Sequence, residues 1–252
     1  MAITVQTTAP KRAPADALRK TAFVAGAFYL ITFIASIPAA FFLLAPVLDN
    51  PDYVVGSGAD TSVLLGGFLY VITALACIGT AVALFPVVKR QNEAVALGFV
   101  TYRVLEAAII VGGVVILLSV VTLRQAGAGA DALVTGQALV AMYDWAFLIG
   151  QAFLPAVNAL LLGYLLYRSG LVPRVIPMLG LIGGPLLFAS TTATMFDIND
   201  EFSVWSGIAV APIFVWELWL GVWLVVKGFK PSPITAGMVA ADTPPAYRDV
   251  VV

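Results

Sequence analysis

Six apolar runs, each long enough to cross a bilayer, decide what this chain can fold into. They cover residues 21–44, 62–88, 94–123, 133–167, 175–196 and 204–226. A helix needs about 20 apolar residues to span the hydrocarbon layer, so each run predicts a transmembrane helix. Composition agrees: 61% of residues are hydrophobic and 11% charged, where soluble domains carry about 25% charged. The predicted fold class is therefore all-α, a polytopic membrane protein built as a six-transmembrane-helix bundle over residues 21–230. The fourth run is longer than a bilayer requires, so it is expected to tilt, protrude or bend at Pro155. Pro38 predicts a kink in the first. Residues 1–20 and 231–252 are polar and Pro-rich and are expected to be disordered cytoplasmic tails.

Loop charge predicts the orientation. Lys89 and Arg90 fall between runs two and three, Arg168 and Arg174 between four and five, and Lys227 and Lys230 after six. With Lys11, Arg12, Arg19 and Lys20 these lie on one side. The other side holds Asp49, Asp52, Asp60, Asp131, Asp197, Asp200 and Glu201, with Arg124 as its one cation. The positive-inside rule places both termini in the cytoplasm. An even number of spans requires termini on the same side, which is an independent check.

Inside this apolar frame a few polar residues stand out. Arg103 and Glu106 lie three residues apart on one helix face. At a rise of 1.5 Å per residue, Arg103 lies ~16 Å from the basic edge, Glu217 and Asn158 ~15 Å, and Tyr29 ~14 Å. Four spans thus bring polar groups to one level near the middle of the membrane. Glu106 lies about one turn further out, with Gln151 at a similar or greater depth. Asp144 comes out at ~36 Å, beyond the hydrocarbon, beside the interfacial residues Tyr143 and Trp145. Charges at such depth turn toward protein or a wet cavity, so Arg103 is expected to pair with Glu217 across the bundle. One arginine against two glutamates leaves an excess negative charge. A proton on one glutamate, a cation or a cationic ligand would balance it. Glu106 is expected to hold the proton, because an arginine extended toward Glu217 would leave it without a close cation. The plain structural alternative is a static network that fixes helix register.

Several chemistries are excluded. The chain has no histidine and one cysteine, Cys77. His-ligated haem, zinc hydrolase sites and Ser-His dyads are therefore absent, and no metal or cofactor is expected. Every aspartate but Asp144 is in a loop or tail, which ranks an intramembrane aspartyl enzyme last. Net charge is −1, giving no reason to expect nucleic acid. Cys77 and the pairs Gly66-Gly67, Gly112-Gly113 and Gly183-Gly184 read as packing residues. The leading expectation is a non-enzymatic bundle binding a lipid, a small apolar ligand or a membrane partner. The alternative is a small proton- or cation-coupled carrier using the Arg/Glu layer.

Longer stretches resemble a known family. They are Ala25-Gly26-Ala27-Phe28-Tyr29-Leu30, Tyr102-Arg103-Val104-Leu105-Glu106-Ala107, and the turn from Leu162 to Arg174 with its Tyr164-Leu165-Leu166-Tyr167-Arg168-Ser169-Gly170 core. Glu217 and the Trp223–Gly228 end complete the set. In these the chain resembles the bacterial family called domain of unknown function 4386, from about Thr21 to Lys230. The resemblance implies a membrane fold and a multi-pass place in a bacterial cell membrane, and no activity. Members of that family often carry a histidine in the fourth span, and this chain has none there.

Overall fold

The computed structural model describes residues 14–240 apart from 57, 201 and 202. The expectations for 1–13 and 241–252, with Lys11, Arg12 and Glu201, lie outside the described residues. Among the described residues the chain is all helix and turn. Helix α1 (Pro14–Pro38) runs into a π-helical turn (Ala39–Leu43) and a short helix α2 (Ala45–Leu48). Then come α3 (Asp60–Val88), α4 (Glu93–Gln125), α5 (Leu133–Phe147), a second π-helical segment (Leu148–Phe153) and α6 (Leu154–Ser169). The chain continues through α7 (Val175–Met195), α8 (Val204–Val226) and α9 (Pro233–Ala240). Among the described residues six stretches are long and apolar enough to cross a membrane, with α5, the second π segment and α6 forming one of them.

Both π segments lie just ahead of a proline. Pro46 and Pro155 lack an N–H, and each ring would press on the carbonyl four residues back, Phe42 and Gln151. A widened turn at those residues relieves the contact. Leu44 N donates to Ala39 O at 3.0 Å, five residues back. The expected kink at Pro38 is met instead by this wide turn, which begins one residue later.

Each span packs against the next in sequence, and α8 returns to α1, so the six close a ring. One face of α3 buries Tyr70, Ala74, Cys77 and Ala81, while Phe68, Leu75 and Val82 stand exposed on the other. That outward apolar surface suits lipid. Glycines set the closest approaches. A Cβ at Gly26 would come within 2.7 Å of Gly221 O and 2.8 Å of Val225 N, so α1 and α8 touch through their backbones. Gly112, expected at a packing site, has nothing within 4 Å of a Cβ and points away from neighbours.

Two buried clusters fill the ring unequally. The one toward the basic loops draws on all six spans, among them Ala22, Leu84, Phe99, Leu162, Leu187 and Trp216. The one toward the acidic loops includes Leu44, Val63, Leu117 and Tyr143 and takes no residue from α7 or α8. The acidic half is therefore less filled.

The ends are tied down. Asn92 Oδ1 caps α4 by accepting from Val95 N at 3.1 Å. Arg19 donates to Leu224 O at 3.2 Å and Val225 O at 2.6 Å, placing a cation on the negative end of α8. The stretches expected to be disordered are partly folded. Residues 14–20 extend α1 and α9 forms beyond Lys230. Two bonds to backbone carbonyls explain the second case: Lys230 N donates to Leu171 O at 2.7 Å and the Ser232 hydroxyl to Ser169 O at 2.6 Å. At the acidic end Arg124 pairs with Asp60, which also accepts from the Tyr53 hydroxyl at 2.7 Å. Burial, then the bond to Asp60, pushes the Tyr53 hydroxyl up to about 12, so it remains a donor.

Candidate functional site

Arg103 sits at the centre of the ring, 3% exposed. Its Nη1 donates to Glu106 Oε1 at 3.0 Å and Oε2 at 3.1 Å, one turn along the same helix. Its Nη2 donates to Glu217 Oε1 at 2.8 Å and to the Tyr29 hydroxyl at 3.2 Å. The guanidinium lies 5.3 Å from the Tyr29 ring centre. Asn158 Nδ2 donates to Glu106 Oε2 at 2.5 Å. A carboxylate can only accept, so the amide nitrogen must face it. The Cys77 thiol completes the shell, 3.7 Å from Glu106 Oε1 and 3.5 Å from Arg103 Nη1. Spans one, two, three, four and six thus all supply a group.

The structure brings together Arg103, Glu106, Glu217, Asn158 and Tyr29. Gln151 is not among them: it lines a cavity next to the cluster. Its helix is π-helical there. Cys77 was not legible as a partner, since Ala, Ile and Gly around it give no polar signal. The expectation that Glu106 lacks a close cation is overturned. Arg103 bridges both glutamates, and Glu106 also receives Asn158 and Cys77. Glu217 is the less engaged carboxylate. Its side chain is 18% exposed, and its Oε2 has no hydrogen-bond partner among the described residues. Arg103 Nε and Asn158 Oδ1 are buried without partners.

Beside this cluster lies a cavity of about 180 Å³. Arg103, Glu106, Glu217 and Cys77 form its polar end, and Phe33, Leu187, Ile213 and Phe214 are among its apolar walls. Thr32 and Thr73 also line it, but their hydroxyls bond to carbonyls of their own helices. A second cavity of about 570 Å³ shares Ser36 and Gln151 with the first and continues toward the acidic loops. Both π segments contribute to its wall, through Ala40, Phe41 and Gln151. Exposed Asp49 and Asp144 stand along it. Asp144, which depth counting sets outside the hydrocarbon, is part of this wall.

Chemically, the arrangement presents one partly engaged carboxylate at the inner end of an apolar passage. No curated protein and no solved structure matches the chain. The model of a family described as a domain of unknown function (DUF4386) matches residues 24–228, so this membrane protein belongs to that family.

Proposed function

We propose that the protein is a non-enzymatic binder of a small molecule with an apolar body, a lipid or another amphiphile, in a bacterial cell membrane. Its termini face the cytoplasm in this reading, and its cavity opens to the outside. The observation that carries it is the cavity ending on Glu217, with apolar walls and a carboxylate oxygen left without a partner. Pockets that hold small ligands combine such walls with a few placed polar groups. Native mass spectrometry of the protein released from bilayers tests it. One small molecule per chain is expected, and it should be lost in Ser36→Trp, which fills both cavities from their shared wall. A bare wild-type chain counts against the reading.

The carrier reading is favoured by a different observation. Two π-helical segments, on spans one and four, flank the passage, and such segments recur at functional sites. Proteoliposomes separate the two. A carrier moves the molecule found by mass spectrometry across the bilayer, and a binder exchanges it from one side only.

A further inference from the structure

Building on the binding reading, we propose that the ligand is an organic monocation: an amine or quaternary ammonium group on an apolar or aromatic body. Charge at the inner end is the first argument. Arg103 contributes one positive charge and Glu106 and Glu217 two negative ones, and both ends of the guanidinium are already engaged. Glu217, the carboxylate with a free oxygen on the cavity, is the one a ligand can reach. An unpaired charge at membrane depth is unfavourable, and a ligand of opposite sign relieves it.

The walls are the second argument. Phe33 and Phe214 meet edge to face, 5.1 Å between ring centres, in the same cavity as Glu217. Aromatic rings beside a carboxylate are how proteins hold quaternary ammonium groups. Further out, Phe41, Tyr143 and Phe147 line the continuing passage.

The route is the third. Asp49 and Asp144 stand along it, and neither carboxylate has an ion-pair partner among the described residues. Apart from Arg103, no lysine or arginine among the described residues lines either cavity. Such a field concentrates cations at the mouth. A bare metal ion fits less well. Calcium takes about six to eight oxygen ligands and magnesium six, while Glu217 offers one unengaged carboxylate oxygen.

The test uses the full-length protein in phosphatidylcholine nanodiscs. The probes are benzyltrimethylammonium and its neutral carbon isostere neopentylbenzene, with binding read against free aqueous concentration and empty nanodiscs. The cation should bind about tenfold or more tighter than the isostere, the size expected for a desolvated cation–aromatic contact. Glu217→Gln should abolish that preference. Asp144→Asn, at an exposed position outside the ion cluster, should weaken cation binding severalfold and flatten its salt dependence. It keeps the test decisive if Glu217→Gln folds poorly. Equal binding of the two probes, or tighter binding of the isostere, overturns the cation assignment and leaves the apolar-ligand reading standing. Binding of neither probe also overturns it. In that case a molecule of other charge in native mass spectra preserves the binding reading, and a bare chain removes both.

Discussion

Arg103 is held by groups from three helices besides its own, and its removal should be costly out of proportion to its size. Arg103→Met leaves the buried Glu106 and the part-buried Glu217 without a counter-charge, so unfolding in denaturant should show a loss of ~3–5 kcal/mol. Adding Glu106→Gln and Glu217→Gln to that change should recover part of the loss, because no charge is then left unpaired. Simple addition of the three losses would mean that the residues do not act as a unit. Arg103→Lys should not rescue, since one ammonium lacks the fork that reaches both carboxylates. At this scale the sequence was informative for a physical reason. Polar groups in an apolar run have few places to go, so matched depth on Tyr29, Arg103, Asn158 and Glu217 implied contact. Cys77 was hidden because its type signals packing as readily as bonding. The sharing of Arg103 between two carboxylates depends on rotamers, which spacing does not specify.

Helices and turns add their own tests. The backbone contact of α1 with α8 leaves no space for a side chain at Gly26. Gly26→Ala should push the helices apart and cost ~1–3 kcal/mol. Gly112→Ala, which meets nothing, should be neutral or stabilise by up to ~1 kcal/mol through helix propensity. Unfolding midpoints of the two variants give the comparison. At the acidic end, the raised Tyr53 hydroxyl makes the clasp with Asp60 and Arg124 alkali-sensitive. Its contribution is complete below the ordinary tyrosine value of 10.0 and is lost as pH rises toward about 12. The stability difference between wild type and Tyr53→Phe should therefore shrink over that range and stay constant below it. The spans themselves were legible, since bilayer length and hydropathy leave little choice of element. The π segments were not. Proline marks a break in hydrogen bonding, but whether a helix answers with a kink or a wide turn depends on its neighbours. Gln151 lies within the second π segment. The folded stretch after Lys230 was missed because polar, Pro-rich sequence gives no sign of the carbonyls of Ser169 and Leu171 that anchor it.

Across the whole molecule, six spans close a ring that is filled toward the basic loops and open toward the acidic ones. In the proposed orientation the basic side faces the cytoplasm, so in intact cells a cysteine at Asp200 should react with an impermeant thiol reagent and one at Gln91 should not. The reverse pattern would invert the topology. The six-helix bundle was readable from six runs, but its closure into a ring was not. Its unequal filling was not, because it arises from which spans lean together rather than from how apolar they are. In the proposed reading the polar cluster is reached through a passage from the acidic side. Gln151→Cys in a Cys77→Ala background tests it most directly, since Gln151 lines both cavities. Intact cells are treated with a trimethylammonium-bearing methanethiosulfonate and, separately, with its sulfonate counterpart. The cationic reagent should label Gln151→Cys and do so faster than the anionic one, and Ser36→Trp should block the reaction. An unlabelled Gln151→Cys beside a labelled Asp200→Cys control would contradict it.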